Sequence, residues 1–144
     1  MKKSKKILAF LLTMVMVISV FHVDTYAGTK EKKIWYCTVM NGDRTGIKKM
    51  KLKGNKLIIW GSFGKGASSE ESIEAFYGGE KTTYKKRVFL LSEDIKFYAT
   101  GGTEKPGCYS KAQFRDCYVT QPGLGLGFRM LQKNGKIVKI YTDS

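Results

Sequence analysis

The sequence predicts a mainly β protein: a small OB-like, partly closed barrel with one or two short helices. Three observations carry this. Apolar residues alternate with polar ones in several short runs, the period of half-buried strands. Turn residues separate the runs. A helix-start signal falls between the third long strand and a closing hairpin, which is the order of an OB-type barrel. A β-sandwich or a half-open roll built from the same strands is the alternative.

The strands are expected at 34–40, 46–53, 56–63, 84–91, 95–100, 124–132 and 136–142. In the first, alternation puts Trp35, Cys37 and Val39 on one face, read here as the inward one. Asn41-Gly42-Asp43 then turns the chain. The run IKKMKLKGNKLIIWGSF reads as a hairpin around Gly54-Asn55. A two-residue loop pairs Leu52 with Leu57 and Met50 with Ile59 on one face. The same register pairs Lys51 with Ile58 and Lys49 with Trp60 on the other.

Ser68-x-x-Glu71 is a capping box, and an acidic first turn suits the helix dipole. A helix over 69–76 follows, turning Ile73 and Phe76 inward, and Gly78-Gly79 ends it. KKRVFLLSEDIKFYATGG supplies two strands, or one long bent strand, around Ser92-Glu93-Asp94. Ser110 and Gln113 form a second capping box, with Tyr109 and Phe114 at the staple positions. These predict a helix over 111–117. In the last hairpin, a bulge at Gly135 would place Ile140 opposite Met130, with Val138 beside it.

The N-terminus reads MKKSKKILAFLLTMVMVISVFHVDTYAGTK. Four lysines precede an apolar run from Ile7 to Phe21, which is short for a membrane span. Thr25-Tyr26-Ala27 completes the pattern of a secretory signal peptide cleaved after Ala27. An uncleaved anchor is the competing reading. On the first reading residues 28–33 are a solvated leader, residues 34–144 form a single domain, and the protein is secreted or displayed on the cell surface. The membrane then matters only as a route of export.

The 144 residues carry a net charge of +14. Loss of residues 1–27 removes four lysines and Asp24, leaving 117 residues and a charge of +11. That length supports one modest core. The charge favours acidic partners: teichoic acids, lipid headgroups, nucleic acid or acidic glycans. A lysine-coated surface without such a role explains the same numbers, because the lysines are spread along the chain, and there is no strong nucleic-acid signature.

The only histidine, His22, lies in the leader. Without imidazole a Ser-His-Asp triad or Cys-His pair is out of reach, as are the usual zinc sites. No cofactor or metal is implied. The three cysteines leave several possibilities. Over Ser110–Cys117 a helix rises about 10 Å, beyond the roughly 7 Å that a disulfide spans between Cα atoms. An intact helix therefore argues against a Cys108–Cys117 bond. Cys117 should share the inward face of Phe114, so Cys37 with Cys117 is the candidate pairing, against three packed thiols. The run WGSFGKG, from Trp60 to Gly66, lacks the spacing of a phosphate loop.

Lys49, Lys51 and Trp60 are the candidate ligand-binding residues, since lysine beside an aromatic plane suits a sugar ring, a base or an anionic polymer. Lysine stems shielding an exposed ring is the structural alternative. The functional expectation is a secreted, non-catalytic binding module for an anionic cell-envelope polymer or an extracellular protein. The alternatives are a small hydrolase using carboxylate or basic residues, and an envelope-associated structural or inhibitory protein.

Overall fold

In the computed structural model of the chain, eight strands form one mixed sheet in the order β2-β3-β5-β8-β7-β1-β4, with β6 beside β5. The structure describes residues 31–101, 107–120, 123 and 125–143. The signal peptide expected at 1–27 and the first residues of the expected leader lie outside these. The strands are β1 (Lys33–Met40), β2 (Ile47–Lys53), β3 (Lys56–Gly61), β4 (Gly64–Gly66), β5 (Lys85–Thr100), β6 (Gly107–Tyr109), β7 (Leu126–Lys133) and β8 (Lys136–Asp143). Helix α1 spans Ser69–Tyr77, and α2 spans Lys111–Phe114 and continues as a π-helical turn over Arg115–Val119.

The sheet is not closed, for β2 and β4 are its free ends. It is nonetheless curled by one run of chain. β3 and β4 are separated only by Ser62-Phe63, yet β3 pairs with β5 and β4 pairs with β1. Counting that run as one strand, the neighbours are β1, β3–β4, β5, β8 and β7. β5 and β8 are parallel, and α2 falls between β5 and β7 in the chain. This is a partly open barrel with an OB-like order of strands, to which β2 is added as a hairpin arm.

The core fills the concave side. Tyr36, Met40, Ile47, Met50, Leu57, Ile59, Phe63, Phe89, Leu91, Phe97, Phe128, Met130, Ile137 and Ile140 form one cluster. The β2–β3 register is the one the turn predicts, with Lys49 opposite Trp60 and Leu52 opposite Leu57. Long β5 is one strand whose ladder with β8 is irregular between Leu91 and Lys96. Phe114 stacks on Phe97 with ring centroids 4.9 Å apart, so α2 plugs one end of the barrel.

Several expectations are corrected. In β1 the alternation holds but its direction is reversed. Tyr36 and Met40 enter the core, while Cys37 is buried on the opposite face, near Arg129 and Asp143. The reason is α1, which packs on the outer side of β1 and β4 and buries a second face. A Cβ on Gly64 would lie 2.1 Å from the Ser72 carbonyl oxygen, so only glycine admits this helix. The β7–β8 turn is a plain two-residue turn with Asn134 and Gly135 at positive φ. The extra residue is Val138, opposite the Leu131–Gln132 step, and Met130 still faces Ile140. Lys33 already belongs to β1, and Lys32 exchanges hydrogen bonds with Asn134.

Both predicted N-caps form, but only the second is a full capping box, because the Glu71 carboxylate accepts from the Ala67 amide and not from that of Ser68. Ser68 accepts from the Glu71 amide at 3.1 Å. Ser110 accepts from the Gln113 amide, and the Gln113 side chain accepts from the Ser110 amide. The helix after Ser110 is only four residues of α before it widens. The Thr120 amide donates to the Arg115 carbonyl, five residues back. Widening changes which residues share Phe114's side. Val119 is buried and Cys117 is exposed, against the expected inward thiol.

Candidate binding face

The register of three strands builds the site. β2, β3 and β5 align in rows: Lys49–Trp60–Lys86, Lys51–Ile58–Val88 and Lys53–Lys56–Leu90. In each strand the alternate residues, such as Met50, Ile59 and Phe89, point into the core. The nine side chains therefore share the convex face. Five are lysines, four are apolar, and none is a carboxylate. The charge is not balanced locally, so the face attracts anions beyond what the net charge alone implies.

Trp60 lies between two ammonium groups. Lys49 Nζ is 5.2 Å from its ring centroid and Lys86 Nζ is 5.6 Å. Both lie within cation–π range. The half-buried ring is thereby committed to its neighbours, and it is a poor open platform for a sugar or base. Below it, Val88 is 53% exposed and Leu90 is 42% exposed. These and Tyr77 are the large apolar side chains most open to solvent among the described residues. Ile58 completes a band that crosses the face from Trp60 to Leu90. Lys136 stands beside Leu90 on β8.

Lys49, Lys51 and Trp60 thus lie together where the hairpin register predicts. Lys86, Val88 and Leu90 join them through the β3–β5 pairing. Their partner β3 is separated from β5 by α1, and pairing across such an insertion has no local signal. The stretch RVFLL is apolar at consecutive positions, so alternation does not say which residues face out.

The cysteines are free: Cys37 buried, Cys108 and Cys117 exposed. The Cys37–Cys117 pairing is therefore not formed. Burial pushes the Cys37 thiol up to about 11, against the opposing pull of the Arg129 guanidinium. Such a thiol is protonated and inert at neutral pH. Arg129 itself is held by Asp143 through two hydrogen bonds, at 2.9 and 3.0 Å, and donates to Ser69 Oγ at 2.8 Å. The Asp143 bond raises its pKa further above the ordinary range. This ties α1 to β7 and β8.

Several carboxylates serve local structure. Glu71 accepts from the Ala67 amide at 2.8 Å. Asp94 accepts from Ser92 Oγ, which holds its carboxyl below the usual range. Asp43 is lowered in the same way by Thr45. Among the described residues no group of three or more His, Cys, Asp or Glu is placed to hold a metal ion. No helix among them is long and apolar enough to cross a membrane. Comparison of the chain with protein-family models, with curated proteins and with solved structures finds no match.

Proposed function

We propose that the chain is an exported, non-catalytic binding module whose convex β2–β3–β5 face holds an anionic macromolecular partner. The observation that carries this is the grid itself: five lysines around an apolar band, with no carboxylate among the nine positions. Barrels with this order of strands commonly present ligands on the face of their second and third strands. With β2 taken as an added arm, those strands are β3 and β5. The apolar run and Thr25-Tyr26-Ala27 support export, and an exported basic protein has anionic cell-envelope polymers within reach.

Immobilised polyglycerol phosphate tests the reading. Retention should fall as salt rises, because exposed charges are screened over about 10 Å at 0.1 M. Lys49→Ala and Lys51→Ala should each lower the salt needed for release. Retention that ignores both salt and these substitutions would refute the reading.

A further inference from the structure

The anionic polymer account leaves part of the face without a purpose. A polyanion satisfies lysines, but it offers nothing to cover Val88 and Leu90, which stand 53% and 42% exposed. These two residues alternate with Arg87, Phe89 and Leu91 along β5, so nothing about the core requires them to be apolar. Each has a lysine in its own row: Lys51 in the row of Val88, and Lys53 and Lys56 in the row of Leu90.

Resting on the reading above, we propose that the partner of this face is the surface of an anionic lipid bilayer. The apolar band, with Trp60 at one end, would enter the headgroup boundary, and the lysines would engage lipid phosphates. The chemistry fits on both counts. Tryptophan and aliphatic side chains favour the boundary between headgroup and acyl chain. Long lysine stems lie along apolar surface while their ammonium groups reach a polar layer. Neighbouring strands are about 4.8 Å apart and alternate residues about 6.8 Å apart. The grid is therefore on the order of 10 by 14 Å, the footprint of a few lipid headgroups. Binding of this kind is shallow and reversible, and is weakened about fivefold for each lysine removed.

The test uses phosphatidylcholine vesicles with and without phosphatidylglycerol, and polyglycerol phosphate as the soluble counterpart. The variant is Val88→Ser with Leu90→Ser. Both positions are solvent-exposed, and an unchanged melting temperature establishes that the fold is intact. The proposal expects cosedimentation with the anionic vesicles only. It expects the double variant to lose most of that binding, at least tenfold, and to lose far less of its polymer retention. A Trp35→Phe background leaves Trp60 as the sole tryptophan, and its emission should shift to the blue on vesicle binding. Polymer retention without vesicle binding would overturn the bilayer proposal and leave the binding module standing. Vesicle binding that is indifferent to the double variant, or that leaves Trp60 emission unmoved, would also overturn it. Failure to bind either probe would overturn both.

Discussion

Thr38 is a buried hydroxyl whose Oγ1 has no hydrogen-bond partner, opposite Phe128 in the β1–β7 ladder. An unmet buried polar group costs stability, and replacing it by an apolar group of the same shape recovers part of that cost. Thr38→Val should therefore raise stability by about 1 kcal/mol, read from urea unfolding. Unchanged or lower stability would mean that the hydroxyl is satisfied after all. The thiols make a second residue-level case. With Cys37 buried and Cys108 and Cys117 exposed, iodoacetamide on the native protein should label two positions, and all three after denaturation. A native product with Cys37 modified would contradict the burial. The pH dependence has a definite sign. The Cys37 thiol titrates near 9 when unfolded and near 11 when folded. Between those values the unfolded chain has lost the proton that the folded chain keeps, so stability falls as pH rises. Cys37→Ala should flatten that part of the stability profile.

At the scale of elements, what the sequence discloses depends on how local the signal is. The β2–β3 register follows from two turn residues and four apolar ones, all within one short run, and the structure has that register. Both helix caps are equally local. The inward direction of β1 was misread because its two faces are both covered, one by the core and one by α1. Cys117 was misplaced because nothing in RDCYV announces that the helix widens. Two substitutions test these elements. Ser110→Ala removes the cap of α2 and should cost about 1 kcal/mol. Gly64→Ala would drive a Cβ against the Ser72 carbonyl at 2.1 Å. It should cost about 2 kcal/mol and loosen α1, seen as faster amide exchange over Ser69–Tyr77.

Across the whole molecule, the barrel closes its core with α2 at one end and leaves the β2–β3–β5 face without a covering element among the described residues. Half of that face was legible, because Lys49, Lys51 and Trp60 lie within one hairpin. The other half required the pairing of β3 with β5, a contact across α1 that only the folded chain supplies. The claim that depends on this pairing is that a localised face, and not net charge, binds the anionic partner. It is tested most directly by comparing two charge-matched triple variants on immobilised polyglycerol phosphate. One is Lys49→Ala, Lys51→Ala, Lys86→Ala, all on the grid. The other is Lys65→Ala, Lys81→Ala, Lys96→Ala, all exposed and all off it. A localised face predicts that the first triple is released at clearly lower salt than the second, which should stay close to the parent. Equal shifts in the two triples would show that net charge alone retains the protein, and would contradict the account.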